Sequence, residues 1–351
     1  MRRASTVSFG YRHPFARYVA IRIGLSIGLL WGITLVTFVL TNMVPANPAL
    51  AALGDRAASD PKIVETFNRQ YGFDKPRPVQ YWLYLVRVVH LDLGQSTQTH
   101  NPVMTDLKSV FPATAELTLT ALVIAAVLGI AMGLYAALRH RTWKDQLIRV
   151  ISLLGVSTPA FWMALVVYFV FFYKLGWFPG SGRLDSALLP PPHVTGFYTI
   201  DALLAGQTHT FVNACQHLIL PSSVLVGYNV GFLARFTRSS VLDVRASDFV
   251  TTARAKGLPP WTVTMRYILR AALVPILTVI GLAFAGLLSG AVLTETVFSW
   301  GGLGQYAYKA AITIDLHAIM GVGILIGVIY IMINFAVDLL YGLADPRVRA
   351  R

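Results

Sequence analysis

The chain has 351 residues, of which 55% are hydrophobic and only 13% are charged, and its formal net charge is +13. Soluble domains carry about 25% charged residues, so this composition excludes an ordinary soluble protein and indicates one built for a lipid bilayer. The single cysteine, Cys215, excludes an intrachain disulfide and a cysteine-based metal cluster.

Six apolar stretches approach or exceed the length of about 20 residues that a helix needs to cross a bilayer. In chain order they are Ile23–Met43, Ala115–Leu138, Leu147–Tyr173, Leu218–Leu233, Leu273–Val297 and Ala318–Tyr341. The sequence therefore predicts an all-α polytopic membrane protein with six transmembrane helices, the last five of them in a core at 113–341. A cleaved signal peptide is the alternative for the first stretch, but its length favours an uncleaved helix.

The basic residues are concentrated in four segments: the tail at 1–22, the short loops after the second and fourth stretches, and the tail at 342–351. Lys and Arg accumulate on the cytoplasmic side of membrane proteins, so we expect both termini and both of these loops to be cytoplasmic. The positive charge is then a topology signal, and no nucleic-acid partner is expected.

Two long loops fall on the opposite side of the membrane. In the periplasmic loop at 44–112, apolar residues recur at helical spacing from Ile63 to Tyr71, and a second helix is expected after Pro76 and Pro78. These two short helices should lie on the outer face. The other loop, 174–217, is rich in glycine and proline and should be ordered but irregular.

The largest predicted cytoplasmic loop spans 237–272 and contains a helix breaker. Residues 249–256 can form one helix, Gly257 permits a sharp change of direction, and Pro259 and Pro260 suit the first turn of a second helix. Two helices joined by a bend form a projection with apolar and basic faces, which suits docking into a groove on another protein. A basic loop without a partner is the alternative.

Polar residues at membrane depth are costly and often functional. The candidates for a transport pathway are Ser157, Pro159, Glu295, Asn334 and Asp338. Hydrogen bonds between helices, solvation at a helix end and ordinary packing are the alternatives. No metal site is predicted, since Asp315 and His317 resemble a metal pair only superficially and should be solvated at the interface. Trp177 and Trp300, beside outer helix ends, should be interfacial belt residues.

The stretch "ARAKGLPPWTVTMRYILRAALVP" resembles the cytoplasmic loop motif of the permeases of binding-protein-dependent ABC transporters, specifically the peptide branch. Seven further stretches are similar to that branch in order and spacing: "QYGFDKPRPVQY", "LDLGQS", "FPATAELTL", "GVSTPAFW", "HLILP", "TETVFSWGGLGQ" and "NFAVDLLYGLADPRV". The resemblance covers nearly the whole chain, and "GDRAASD" looks like the D-Ala-D-Ala type. One departure is that Thr251, Thr252 and Ala253 stand where the general motif has Glu-Ala-Ala.

The resemblance implies a permease subunit of an ATP-driven importer of dipeptides or oligopeptides in the bacterial inner membrane. Its implied partners are a second permease subunit in a heterodimer, two ATPase subunits, a periplasmic substrate-binding protein and the lipid bilayer. No G-x-x-x-x-G-K-[ST] loop occurs in the sequence, so we expect no enzyme activity and no cofactor on this chain, with ATP and Mg²⁺ on the ATPase subunits. Nickel or glutathione as cargo, and a stand-alone secondary transporter, are the alternatives.

The resemblance also implies which residues couple the chain to the ATPases. They are Thr251, Thr252, Ala253, Arg254, Ala255, Lys256, Gly257, Leu258 and Trp261. Gly257 would allow the bend, while Ala253, Leu258 and Trp261 would pack in the groove of the ATPase. Arg254 and Lys256 would pair with acidic groups on the rim of that groove.

Overall fold

The computed structural model describes residues 14–43, 60–72 and 74–344, and these residues form helices without any named strand. In chain order the helices are α1 (Pro14–Met43), α2 (Pro61–Tyr71), α3 (Arg77–Val89), α4 (Val103–Leu138), α5 (Trp143–Ser157), α6 (Ala160–Val167), α7 (Tyr198–Leu204), α8 (Thr208–Arg245), α9 (Asp248–Ala255), α10 (Pro260–Thr262), α11 (Arg270–Val297), α12 (Leu303–Ile312) and α13 (Leu316–Ala344). Two π-helical segments continue these helices, Tyr168–Lys174 after α6 and Val263–Leu269 between α10 and α11.

Among the described residues, five helical segments are long and apolar enough to cross a membrane, and a sixth span arises if the bent pair of α5 and α6 is counted as one. The pair is bent by 100°. The bend lies at Thr158 and Pro159, where both residues have extended backbone geometry. Proline lacks an N–H and disfavours helical geometry in the residue before it. The stretch predicted as one continuous third span is thus two helices with a sharp bend between them.

The predicted fourth span, 218–233, is much shorter than the helix that contains it. The helix α8 has 38 residues and runs through Pro221. The hydroxyl of Ser222 donates to the carbonyl of Leu218 beside this proline. Such side-chain bonds help a membrane helix to tolerate proline. The two short helices expected in the loop at 44–112 are confirmed as α2 and α3.

Helices α4, α8 and α11 form the centre of the bundle, and small residues let α4 and α8 approach closely. A Cβ atom on Gly129 would lie 2.6 Å from the Cβ of Leu233, and one on Gly133 would lie 2.5 Å from the carbonyl oxygen of Ala234. Glycine is favoured where membrane helices pack at this distance. Helix α1 lies at the periphery, against α13 and α3.

Candidate functional site

The projection, which we define as residues 248–262, is built by strong local signals. Helix α9 ends at Gly257, whose φ of +73° is one that residues with side chains rarely adopt. The N–H of Gly257 donates to Arg254 and the N–H of Leu258 donates to Ala253, so two of the last carbonyls of α9 are satisfied. Pro260 then opens α10. The predicted bend and the predicted second helix are both confirmed.

One face of the projection is anchored inside this chain. Val250 and Ala253 are three residues apart on α9, and they are 0% and 3% exposed. They pack in one cluster with Val263, Ile268 and residues of α4 and α8. Ala253 therefore packs in the chain's own core, and not in the groove of an ATPase as we expected. The reason is the helical period, which places it on the same face as Val250.

The other face of the projection is open. Trp261 is 71% exposed and Phe249 is 48% exposed. The remaining exposed members of the predicted set are Thr251, Thr252, Arg254, Ala255, Lys256 and Gly257. Leu258 is half-buried and packs against the cluster below. An exposed tryptophan and an exposed phenylalanine beside basic residues give this face the chemistry of a protein-docking surface.

The hydroxyl groups of the two threonines at the start of the motif form hydrogen bonds with the backbone one turn earlier. The hydroxyl of Thr252 donates to the carbonyl of Asp248 at 2.9 Å, and the hydroxyl of Thr251 reaches the carbonyl of Ser247 at 3.4 Å. Arg254 and Lys256, in contrast, form no ion pair with any residue that the structure describes. These two cations are free to meet acidic groups on a partner.

Arginines at the end of α8 tie it to the neighbouring helices. Arg238 donates to both carboxylate oxygens of Asp145 on α5, at 2.6 and 2.8 Å. Arg245 donates to the carbonyl of Ala137 at the end of α4. Paired donors to one carboxylate fix geometry as well as charge. These contacts fasten the end of α8 to α4 and α5.

A cavity of about 490 Å³ lies at the break between α5 and α6. Ser157 and Pro159, two of the predicted pathway residues, line it together with Thr158. From the facing helices the lining includes Tyr228, Asn229, Gly286 and Gly290. The first backbone N–H groups of α6 follow the break directly, and such groups have no partner within their own helix. The cavity thus combines small residues with a few hydrogen-bonding groups inside the bundle.

Glu295 does not reach this cavity. It is fully buried, and it accepts a hydrogen bond from the hydroxyl of Thr114 at 2.5 Å and one from the N–H of Gln305 at 3.0 Å. The hydroxyl oxygen of Thr114 in turn accepts the N–H of Leu303. Glu295 therefore fastens α12 to α4 and α11, which agrees with the structural alternative and not with a role in the pathway.

Asn334 does not line the cavity either. The side-chain amide of Asn334 donates to the carbonyl of Tyr330, one turn earlier in its own helix. Asp338 lies in α13, but its side chain is outside the described residues. Of the four predicted residues whose side chains the structure describes, it brings together Ser157 and Pro159.

Two expectations about the outer surface are wrong. Trp300 is 2% exposed and its indole N–H donates to the carbonyl of Ala113, so it is a core residue. Asp315 is fully buried and accepts hydrogen bonds from the hydroxyl of Ser96 and the N–H of Gln98, so it fastens the outer loop and is not solvated. Trp177 is exposed as expected. The described residues contain no group of three or more metal-ligating side chains.

An ion pair that the sequence analysis missed holds the second outer loop on α4. Arg183 donates to Glu116 at 2.6 Å and to the carbonyl of Gly196 at 2.8 Å, and its guanidinium lies 3.6 Å above the ring of Tyr198. Both charged side chains are largely buried. A glutamate at the start of a predicted span was the available signal, because such a charge needs a partner.

Asp201 organises the turn next to this ion pair. Burial opposes its ionisation, but the hydroxyl of Thr195 and the N–H groups of Thr195, Gly196 and Val194 all donate to it, and together they lower the pKa of its carboxyl. The loop at 174–217 is ordered by these polar contacts, as expected, but it is less irregular than predicted because it contains α7 and the start of α8.

Two family models together match almost the whole chain. The family described as "Binding-protein-dependent transport system inner membrane component" matches residues 129–350, and its N-terminal companion matches residues 15–118.

Three curated relatives align along almost their full length. The probable D,D-dipeptide transport system permease DdpB of Escherichia coli is 44% identical over 90% of this chain and 93% of its own. The di/tripeptide permease DppB of Pseudomonas aeruginosa is 41% identical over 95% of this chain and 98% of its own. The dipeptide permease DppB of Alkalihalophilus pseudofirmus is 39% identical over 95% and 99%. This chain therefore belongs to the family of inner membrane components of binding-protein-dependent transport systems.

Proposed function

We propose that this chain is a permease subunit of an ATP-driven importer of short peptides. The observation that carries the proposal is full-length similarity, at 41% and 44% identity, to permeases named for dipeptides and tripeptides. Nickel and glutathione remain alternative cargos without support from these relatives. ATP and Mg²⁺ are bound by separate ATPase subunits, and a substrate-binding protein delivers the cargo at the outer loops.

The projection is the proposed point of ATPase contact. Trp261 and Phe249 insert into a groove of the ATPase, while Arg254 and Lys256 pair with acidic groups at its rim. Because Val250 and Ala253 are buried against α4 and α8, a push on the projection moves these helices as one packed body. Rigid movement of packed helices is a common basis of switching between two states.

The cavity at the broken span is the proposed part of the peptide path. It is large enough for a small ligand, and Ser157, Tyr228 and Asn229 bring hydrogen-bonding groups to its wall. The start of α6 adds backbone N–H donors, and half-helix N-termini bind carboxylates in other transporters. A second permease subunit supplies the facing half of the path.

Uptake of labelled dipeptides tests the function directly. A strain lacking this gene should lose ATP-dependent uptake, and plasmid-borne wild-type protein should restore it. Parallel assays with L,L-dipeptides, D,D-dipeptides, nickel and glutathione identify the cargo. Undiminished uptake of both classes of dipeptide in the deletion strain, with loss of nickel or glutathione uptake, would contradict the proposal.

A further inference from the structure

A second cavity, of about 440 Å³, lies between α5 and α8 and adjoins the first at Val156, which lines both. The two helices run antiparallel, as the bonds between Asp145 and Arg238 and the close approach of Ser152 to Gly231 show. A Cβ on Gly231 would lie only 2.4 Å from the carbonyl oxygen of Ser152, so the helices touch there. Ser152 and Gly231 line one end of the cavity and Arg238 lines the other.

Two cations line this cavity without a partner. Arg149 and Arg235 are exposed, and neither forms an ion pair with any residue in the described part of the chain. Arg235 lies only over the ring of its neighbour Phe236, at 5.9 Å. Arg238 is different, because Asp145 already neutralises it. The net charge of the lining is therefore positive, and it calls for an anion.

One hydroxyl in the lining is buried and unsatisfied within the described part of the chain. The hydroxyl of Ser152 has no hydrogen-bond partner, although the residue is only 6% exposed. A buried hydroxyl without a partner is costly. Ser152 stands three residues after Arg149, one turn along the same face of α5, and both line the cavity. An anion held by Arg149 would therefore lie one helical turn from this hydroxyl.

The rest of the wall is apolar and open to the side. Val150 and Leu153 line the cavity and are 54% and 61% exposed. No acidic residue occurs in its described lining, so the ammonium group of a zwitterionic dipeptide would have no partner there. An occupant with one anionic end and an apolar remainder fits better, and this is the chemistry of an anionic phospholipid.

We propose that this cavity binds an anionic phospholipid of the cytoplasmic leaflet. Its phosphate lies between Arg149 and Arg235, and its acyl chains follow Val150 and Leu153 towards the bilayer. Basic pockets between helices on the cytoplasmic side recognise such headgroups. The leaflet follows from the predicted cytoplasmic position of the loop before α5, and the proposal does not depend on the cargo.

The test uses the complete transporter complex, delipidated in detergent and titrated with phosphatidylglycerol or phosphatidylethanolamine under native mass spectrometry. Wild-type complex should bind phosphatidylglycerol preferentially. Arg149→Gln/Arg235→Gln should weaken that binding about 30-fold, since a basic residue near a headgroup contributes roughly fivefold. Arg139→Gln/Arg141→Gln removes the same charge from the loop just before α5, outside the cavity, and it should bind like wild type.

Three results would overturn the proposal: equal binding of both lipids, equal loss in both double variants, or displacement of the lipid by a dipeptide, which would assign the cavity to the cargo. If the arginine variant does not assemble, Leu153→Trp fills the apolar end from an exposed position. It should reduce binding of phosphatidylglycerol, and unchanged binding in that variant would also contradict the proposal. Because the readout needs no transport, it is independent of the uptake experiment.

Discussion

Replacing Trp261 by alanine should lower the affinity of the ATPase for this chain more than any other single truncation in the projection. The side chain is 71% exposed at the first turn of α10, so most of its surface is available to a partner. A tryptophan contributes 150–250 Å² of buried surface, and apolar burial is worth about 25 cal/mol per Å². Burying the exposed part against the ATPase then contributes about 3 kcal/mol, or roughly a hundredfold in affinity.

Trp143→Ala provides a matched control. Trp143 is 69% exposed, and it begins α5 on the same predicted side of the membrane but outside the projection. The assay is the dissociation constant of the ATPase subunits from permease complexes in nanodiscs, measured together with peptide-stimulated ATP hydrolysis. Trp261→Ala should lower affinity and coupling, and Trp143→Ala should change neither. Equal effects of the two substitutions would refute the assignment of the projection as the docking surface.

Gly257→Ala should lower the free energy of unfolding by about 1–2 kcal/mol. The cost comes from the positive φ alone, because a Cβ there meets no atom within 4 Å. Gly257→Pro should uncouple ATP hydrolysis from uptake while the protein still inserts, and full activity of that variant would refute the role of the bend. Arg183→Met should lower the melting temperature strongly, because a buried Glu116 without its cation costs about 3–5 kcal/mol. Adding Glu116→Gln to that variant should restore part of the loss. An unchanged melting temperature in the single variant would contradict the buried pair. Gly231→Ala should force α5 and α8 apart at a cost of about 1–3 kcal/mol in the free energy of unfolding. Gly32→Ala is the control, because a Cβ there meets no atom within 4 Å, and it should be nearly neutral in the same thermal assay. Equal shifts in melting temperature would contradict the close crossing.

Local backbone chemistry made several elements predictable from the sequence. The bend at Gly257 and the helix start at Pro260 follow from the conformations that glycine and proline prefer. The break of the third span follows in the same way from Pro159. In each case the deciding forces act within a few residues, and the sequence displays those residues side by side.

Tertiary contacts decided what the sequence could not show. The role of Glu295 depends on Thr114, which lies 181 positions away in the chain. Arg183 and Glu116 are separated by 67 positions. The burial of Ala253 depends on which face of α9 meets α4 and α8. None of these pairings leaves a pattern that a window of neighbouring residues can reveal.

Helix α8 shows that hydropathy alone underestimates the length of a helix. Hydropathy identified the apolar stretch 218–233, but the helix continues through polar residues at both ends, from Thr208 to Arg245. A hydropathy scale detects the apolar part of a helix, and it does not detect the polar parts that extend the same helix. The residues after 233 matter most here, because Arg238 and Arg245 make the contacts that fasten α8 to α5 and α4.

In the mechanism that we propose, this chain is a gate that a separate ATPase moves through the projection at 248–262. The most direct measurement is accumulation of labelled dipeptide in sealed vesicles that contain the two permease subunits, with or without the ATPase subunits, ATP and Mg²⁺, and with the substrate-binding protein present. The account predicts accumulation against a gradient only when the ATPase and ATP are present, and its loss with Gly257→Pro. Accumulation by the permease subunits without the ATPase would contradict it.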